Sequence, residues 1–330
     1  MRTTSGPCPS PSRARHPMLG ILPPELITII IRSAVAQLCW SDRISVVHLA
    51  QTSKTVYKEV APLLYHTVVV STPYARLNQI LEKAESPDAG RRVFSQTREL
   101  HALYEFSELP ILTDVFPSVE EITAGGLSIV MKVLGYGRNH QDDGWMPIAP
   151  VTTVRLHRLH LLLTTYKNAL ADIPGHVLDC LTHICAAAPD HTSPRDWAGL
   201  ATDPGGWMCR LLDSLPRLTH LGFTCSAATM EAETIVDKFD VALFGNAILA
   251  ALTYDRVEIV AIRVIGAFLA RWDDFISMII AVCEGNDRVR LWREDRSIGE
   301  WPAMVCQDAR LGQSIWSEAL PLKLLIHSRD

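Results

Sequence analysis

The chain has 330 residues, of which 48% are hydrophobic, and its 31 basic and 36 acidic side chains give a formal net charge of −5. This length exceeds the needs of a single small core, so we expect two domains. The acidic balance supplies no positive field for a nucleic-acid backbone, and no apolar run reaches the roughly 18 residues that cross a bilayer, so nucleic-acid and membrane partners are not expected.

The cysteines and the N-terminus bear on the compartment. Eight cysteines are scattered without paired spacing in a chain too long to need disulfide cross-links. We therefore expect an intracellular protein, located in the cytoplasm, the nucleus or both. Residues 1–19 carry four prolines among serine and arginine and lack the apolar stretch of a secretory signal, which predicts a disordered tail.

The segment 22–26, Leu-Pro-Pro-Glu-Leu, predicts the start of a helix. Proline is tolerated in a first helical turn, where its missing N–H costs nothing, and Glu25 complements the positive end of the helix dipole. Leu26, Ile29 and Ile30 then fall at i, i+3 and i+4. This spacing predicts an apolar stripe that must be buried against neighbouring helices or against a partner.

Two further short helices follow the first one. Ser41 or Asp42 can cap the second, and Thr52 or Ser53 can cap the third, because short polar side chains accept hydrogen bonds from free backbone N–H groups. The predicted apolar positions are Ile44, Val47 and Leu49 in the second helix and Val56, Tyr57, Val60, Leu63 and Leu64 in the third.

The opening Leu-Pro-x-Glu-Leu, three helices within about 45 residues and the exit Leu-Tyr-His-Thr-Val at 64–68 resemble the F-box-like proteins of mushroom-forming fungi. In that family the helical block docks on a Skp-type adaptor, which links it to a cullin ubiquitin ligase, while the rest of the chain recruits a protein substrate. The resemblance implies an F-box-like domain at residues 20–70. Its implied adaptor-binding residues are Leu22, Pro23, Leu26, Ile29 and Ile30.

A second interpretation stays open at this point. The stripe on the first helix can instead pack inside the protein, which would make the chain a structural or interaction scaffold with a degenerate F-box that does not bind the adaptor. An enzyme of the hydrolase type, with an unfamiliar site, is the alternative from another functional class.

Residues 71–330 alternate short strand-like and helix-like runs, so the fold class we expect is α+β or α/β. Candidate strands lie at 98–104, 119–123, 153–163, 218–225, 256–262 and 288–292, and candidate helices at 74–84, 173–188, 208–215, 231–251 and 272–283. Several strands resemble leucine-rich repeats, with apolar residues at every second or third position. We therefore expect an irregular leucine-rich-repeat-like domain at 71–330, an arc with a parallel sheet on one face.

The spacing of these repeats is uneven. Gaps between apolar markers in successive strands, from Leu100 to Val289, range from 19 to 64 residues. A regular array keeps one period of about 20 to 29 residues. The longest polar loops, 135–150 and 189–206, place Trp145, Trp197 and Trp207 in or beside them; such tryptophans either anchor a substrate or cover the nearest core edge, and we favour core cover.

Catalytic motifs are not recognisable. Gly135-x-Gly137 follows an apolar run at 127–134 but lacks the third glycine of a dinucleotide loop, since His140 stands there, so a plain turn is favoured. The sequence contains neither Gly-x-Ser-x-Gly nor the Gly-x-x-x-x-Gly-Lys phosphate cradle. We nominate no nucleophile and expect a protein that is not an enzyme and needs no cofactor.

Metal and nucleic-acid sites have weak candidates. His176, Cys180 and His183 recur at i, i+4 and i+7 of the helix predicted at 173–188, and this set could hold zinc. The buried stripe of that helix runs through Val177, Leu181, Ile184 and Ala188, which turns the three toward solvent. His157-x-x-His160 is weaker, because a strand points the two rings to opposite sides. We therefore expect no metal.

The arginines around Trp292 suggest stacking on nucleic acid, but neighbouring carboxylates neutralise them. Arg288 and Arg290 alternate with Val289 and Leu291, as in a strand with one wet and one dry face. We interpret this segment as an edge strand.

Overall fold

The computed structural model describes residues 22–70, 79, 94–102, 111–138, 144–148, 154–162, 173–187, 209, 212–226, 241–265, 272–283, 286–294, 301–311, 313–322 and 324. The chain divides into two compact units, Met1–Leu64 and Tyr65–Asp330. The sequence analysis placed the domain boundary at residue 70. The observed boundary lies earlier, after Leu64, because the strand that follows Leu64 pairs within the second unit.

The first unit contains three helices in its described part: α1 (Pro24–Ser41), α2 (Arg43–Gln51) and α3 (Lys54–Leu64). Helix α1 begins at the predicted proline pair, with Glu25 in its first turn. Asp42 caps α2, since its carboxylate accepts a hydrogen bond from the Ser45 N–H at 3.2 Å, and the Ser53 hydroxyl accepts one from the Val56 N–H at 3.1 Å. The three predicted helices and two of their predicted caps are confirmed.

The internal packing of this unit differs from the predicted stripe. Among the α1 side chains that the structure describes, Val35 is fully buried, and Thr28, Ile31 and Ala34 are half-buried. These positions repeat at helical spacing and form the buried side of α1. Because the series begins with a threonine, the apolar pattern of the sequence did not reveal which side of the helix is buried. The predicted positions Ile44, Val47 and Tyr57 are exposed, because Val46, Ala50, Val60, Ala61 and Leu64 supply the buried faces of α2 and α3.

The second unit is built on a nine-stranded, mostly parallel sheet in the described residues, and the class is mixed α/β. Its strands are β1 (Thr67–Val70), β2 (Glu99–Ala102), β3 (Glu121–Ala124), β6 (Arg158–Leu162), β7 (His183–Ala187), β8 (His220–Ser226), β9 (Ile259–Ile265), β10 (Val289–Glu294) and β11 (Leu320–Pro321); β4 (Tyr136–Arg138) and β5 (Trp145–Pro147) form a separate hairpin. The large sheet follows chain order, and β11 alone of these pairs antiparallel.

A common local rule generates these strands. Strands β1, β3, β6, β7, β8 and β9 are each entered through an apolar residue two positions before the strand, and the next apolar side chains follow at the second and fourth strand positions, as in Leu218-x-x-Leu221-x-Phe223 and Val257-x-x-Val260-x-Ile262. The backbone carbonyl of the residue just before one strand accepts two N–H hydrogen bonds from the neighbouring strand, one from that strand's first residue and one from the residue before it. The six accepting residues are His66, Arg98, Glu120, His157, Thr182 and Thr219. Successive strands are thereby locked in register.

Alternation along the strands gives the sheet one apolar and one polar face. The apolar face belongs to the main core, against which helices α4 (Leu127–Val133), α6 (Val241–Leu252) and α7 (Trp272–Cys283) contribute buried side chains. Helix α4 is followed at the second residue after its end by Gly135, whose positive φ of 87° suits a residue without a β-carbon. Helix α5 is short (Gly175–Leu178), and α8 (Trp301–Leu311) and α9 (Ile315–Glu318) contribute side chains to the polar face.

All six predicted strands overlap observed ones, α7 coincides with its predicted range, and α6 overlaps the range predicted at 231–251, ending one residue beyond it. The helix predicted at 173–188 is wrong: α5 ends at Leu178 and strand β7 follows. Strand β7 splits the largest gap in the predicted spacing, between Val154 and Leu218. The segment around Arg290 is not an edge strand, because β10 pairs with both β9 and β11.

Some sequence predictions fall on residues outside the described part of the chain. They are the N-terminal tail at 1–19, the helix at 74–84 apart from residue 79, which is helical, and the loop at 189–206 with Trp197 and Trp207. Trp145 lies in strand β5, half-buried and packed against the core, which confirms core cover for this side chain. Among the described helices none combines the length and the apolar character needed to span a bilayer.

Candidate functional site

The first candidate site is an apolar surface at the start of α1. We define the α1 patch as the five residues that the F-box resemblance singled out. They are Leu22, Pro23, Leu26, Ile29 and Ile30. All five are exposed, and Ile29 and Ile30 keep 60% and 54% of their surface in contact with solvent. Moving leucine and isoleucine side chains out of water lowers the free energy. An exposed surface of this kind therefore favours association with another apolar surface.

Helix geometry groups three residues of the α1 patch. Leu26, Ile29 and Ile30 stand at i, i+3 and i+4 of α1, so their side chains lie on one side of the helix, and Leu22 and Pro23 immediately precede it. The buried side, which carries Val35, is the one that packs in the helical unit. Ile27 is also exposed beside the patch, and the sequence analysis did not include it. The α1 patch is therefore a surface left over after the three helices have packed.

The second candidate site is the polar face of the sheet. Two rows of side chains cross it, each formed by register partners on strands β2, β3, β6, β7, β8 and β9. The first row is Glu99, Glu121, Arg158, His183, His220 and Ile259, and the second is His101, Thr123, His160, Cys185, Gly222 and Ala261. Four histidines thus converge on one surface although they are far apart in the sequence.

Histidine stacking organises the middle of this face. The rings of His183 and His220 stack at a centroid distance of 4.0 Å, and Trp316 of α9 meets both rings edge-on at 5.2 and 5.5 Å. Burial lowers the pKa of His183 to about 3, with the neighbouring His220 adding to the effect, and burial also lowers the pKa of His220. Both rings are therefore neutral at pH 7, which permits the stack.

A buried ion cluster closes one end of the polar face. An Arg263 guanidinium nitrogen lies 2.7 Å from an Asp308 oxygen and 3.2 Å from a Glu294 oxygen, and the guanidinium stacks on Trp292 at 3.8 Å. All three charged side chains are almost fully buried. Through these contacts Arg263 on β9 connects Asp308 of α8 with Glu294 of β10, and removing one member of such a buried charged cluster is strongly destabilising.

The polar face contains a thiol, but not an activated one. Burial raises the pKa of Cys185 to about 12, although a hydrogen bond with Thr224 and the charge of Arg263 oppose this shift. The thiol stays protonated at neutral pH, and a thiolate is the form that attacks electrophiles. For the His160 imidazole burial acts in the opposite direction and lowers the pKa to about 4, and the positive charges of Arg158 and Arg263 lower it further. Neither the Cys185 thiol nor the His160 imidazole is therefore charged at neutral pH.

The residues once considered as zinc ligands are not brought together. His176 lies on α5, Cys180 in the turn after it, and His183 in strand β7, so the helical spacing that linked them does not exist. His157 precedes β6, where its Nδ1 approaches the Cys180 carbonyl oxygen at 3.3 Å, whereas His160 lies on the polar face. Among the described residues no group of three or more His, Cys, Asp or Glu is arranged to hold a metal ion.

The sequence analysis missed the polar face as a site. The signal was present in the apolar positions: Leu181-x-x-Ile184 repeats the spacing of Leu218-x-x-Leu221, and that match identifies β7 as a strand. With β7 in place, alternation alone assigns His183 and Cys185 to the same face as His220.

Comparison with protein-family models, with curated proteins and with solved structures returned no match of any of the three kinds.

Proposed function

We propose that this chain is a non-catalytic adaptor that recruits a protein substrate to an SCF-type ubiquitin ligase, a complex of Skp, cullin and F-box proteins. In this proposal the helical unit is F-box-like and binds a Skp-type adaptor, through which it reaches the cullin. The observation that carries the proposal is the exposure of the α1 patch, because a helix that has already packed its own core still presents leucine and isoleucine side chains to water.

The energetics of such a surface support binding. Full burial of one leucine or isoleucine side chain is worth about 1.5 to 3 kcal/mol, and the α1 patch offers four of them. Part of this gain offsets the entropy lost on association. The remainder is concentrated in the central residues of an interface, which here are Leu26, Ile29 and Ile30.

The second unit supports the substrate-recruiting half of the proposal. Its sheet follows chain order, and the repeated spacing of apolar residues resembles the L-x-x-L-x-L core of leucine-rich repeats. In such arrays each repeat contacts its neighbours, and an extended face is left for binding. We assign that role to the polar face. The free thiols of Cys180, Cys185, Cys209 and Cys283 accord with the cytoplasm or nucleus as the place of action.

A pull-down with a purified Skp-type adaptor tests the proposal. Wild-type chain should be captured, and Leu26→Asp and Ile30→Asp should each abolish capture, because a carboxylate in the interface must be desolvated without a partner. Leu311→Asp is the matched control: Leu311 is equally exposed but belongs to α8 of the second unit. Its capture should equal that of wild type.

Two results would overturn the proposal. In the first, wild type captures nothing under conditions in which a known F-box protein captures the adaptor. In the second, Leu311→Asp loses capture to the same extent as Ile30→Asp, which would reveal a non-specific hydrophobic interaction. A folded wild-type chain without adaptor binding would leave the scaffold with a degenerate F-box as the better description.

A further inference from the structure

The polar face contains a cavity of about 150 Å³ at strands β2, β3 and β6, bounded by α8 and by the segment that opens α9. Its floor is formed by His101, Thr123 and His160. A volume of this size holds a group of about six non-hydrogen atoms, such as a benzene ring. The cavity is therefore large enough for the end of a long side chain or for a small organic molecule.

Carboxylates outnumber cations around this cavity. Glu99 and Glu121, which are register partners on adjacent strands, stand at one end, and the Asp308 carboxylate stands at the other. The two lining guanidiniums, Arg158 and Arg263, each already contact a carboxylate, at 3.2 Å from Glu121 and 2.7 Å from Asp308. With neutral histidines the lining carries one negative charge in excess.

Glu99 is the carboxylate without a nearby guanidinium among these contacts. It accepts a hydrogen bond from the Thr67 hydroxyl at 2.7 Å, and its other oxygen lies 3.8 Å from His66 Nδ1. The side chains of Glu99 and Arg158 remain 32% and 46% exposed, so solvent reaches this end of the cavity. A cationic group entering there would meet Glu99 and Glu121 first.

The floor adds hydrogen-bonding atoms without partners. His101 is 7% exposed; its Nδ1 lies 2.9 Å from the Thr123 hydroxyl, whereas its buried Nε2 has no hydrogen-bond partner within the described part of the chain. The buried Nε2 of His160 also has no hydrogen-bond partner within the described part of the chain, and a Glu121 oxygen lies 4.0 Å from it, beyond hydrogen-bond distance. Burial lowers the pKa of both imidazoles, so both stay neutral at pH 7. A neutral imidazole nitrogen can accept an N–H bond, which an imidazolium cannot.

We propose that this cavity binds an organic cation, a guanidinium or primary ammonium group, placed between Glu99 and Glu121 and donating to the Nε2 atoms of His101 and His160. The carboxylates supply the charge complement, and the two imidazoles gain the partners that burial denies them. An anionic ligand is disfavoured, because it would approach two carboxylates. The site is independent of the α1 patch, and its cation is carried either by an arginine or lysine side chain of a partner protein or by a small free amine.

Histidine-selective NMR on the full chain tests this site. The ring C–H signals of His101 and His160 are followed during titration with N-acetyl-arginine amide, which mimics a side chain within a protein, and separately with agmatine, a free amine. N-acetyl-citrulline amide has nearly the same shape without the charge. Shifts are expected at His101 and His160 and not at His176, which is exposed on α5.

Charge variants localise the binding. Glu121→Gln should raise the Kd of the arginine probe at least tenfold, whereas Glu120→Gln should leave it unchanged, because Glu120 is the exposed neighbour that does not line the cavity. Circular dichroism verifies that both variants fold. Binding of the arginine probe alone identifies a protein side chain as the carrier, binding of agmatine alone identifies a free amine, and binding of both supports the shared chemistry.

Three outcomes would overturn the inference. In one, neither cation moves the signals of His101 and His160 at millimolar concentration. In another, the citrulline probe binds as tightly as the arginine probe, so charge plays no part. In the last, Glu120→Gln weakens binding as much as Glu121→Gln does, which would indicate diffuse attraction to an acidic surface.

Discussion

Trp316 occupies the space that a side chain on Gly222 would need: its Cη2 atom lies 2.8 Å from the position a β-carbon at residue 222 would take. The Sγ of Cys185 lies 3.0 Å from the same position. The absence of a side chain at residue 222 thus allows the indole to lie on the sheet, where its edge meets the stacked rings of His183 and His220. Together with Ile315, which packs in the cluster of Cys185 and Ala261, these contacts connect α9 to the polar face.

Gly222→Ala should destabilise the protein by about 1 to 3 kcal/mol, the usual cost of overpacking a filled site. The added methyl displaces Trp316 and presses on Cys185. Urea unfolding measures the change. Gly175→Ala is the matched control, because a β-carbon there meets no atom within 4 Å, and its free energy of unfolding should stay within about 0.5 kcal/mol of wild type. Equal stability of the two variants would contradict this account of the packing.

Arg263→Leu should lower the free energy of unfolding by about 3 to 5 kcal/mol, because it removes the guanidinium that the buried carboxylates of Glu294 and Asp308 both contact. Chemical denaturation gives the value. Arg98→Leu removes an exposed partner of Glu120 and should cost less than about 1 kcal/mol. A loss below 1 kcal/mol for Arg263→Leu would show that the cluster does not hold α8 in place.

The protein should lose stability as the pH falls through the range in which His160 titrates. An unfolded histidine has a pKa near 6.5, and burial lowers that of folded His160 to about 4. Between these values the unfolded chain binds a proton that the folded chain does not, so the stabilisation present above pH 6.5 is lost toward pH 4. From pH 7 to pH 4.5, wild type should lose about 2 kcal/mol more than His160→Gln.

Urea midpoints at the two pH values provide this comparison. His176→Gln, which replaces an exposed histidine on α5, should keep the full acid sensitivity of wild type. Parallel pH curves for wild type and His160→Gln would refute the assignment of this ring as a buried neutral group.

Substitutions on the two sides of α1 should have opposite consequences for folding. Ile30→Asp changes an exposed side chain and should alter the free energy of unfolding by less than about 1 kcal/mol. Val35→Asp places a carboxylate in the core of the helical unit and should cost more than about 3 kcal/mol or unfold the unit. Thermal unfolding followed by circular dichroism separates the two. Comparable losses would mean that Ile30 is part of the fold rather than of a binding surface.

The N-terminal helices were predictable because their signals are local. Pro24 and Glu25 start α1, and the side chains of Asp42 and Ser53 cap α2 and α3, each through a backbone N–H three residues later. Which side of α1 is buried was not predictable. The buried line includes Thr28, and the strongest apolar stripe, through Leu26 and Ile30, is the exposed one.

Strands of the second unit were predictable where β-branched residues and alternation coincide, as at Val119–Thr123 and Val257–Ile262. Strand β7 was missed because Val177, Leu181, Ile184 and Ala188 fall at helical spacing, whereas the deciding contacts are the pairings with β6 and β8. The polar face and its cavity depend on side chains as distant in sequence as Glu99 and Asp308. Such sites follow from topology, which no local pattern contains.

Titration calorimetry of the full chain with a purified Skp-type adaptor tests the central claim most directly. The account predicts saturable one-to-one binding by wild type and a Kd raised about thirtyfold by Ile30→Ala, the equivalent of about 2 kcal/mol for a central interface residue. A folded wild-type chain that gives no binding heat, under conditions in which a known F-box protein binds, would contradict it.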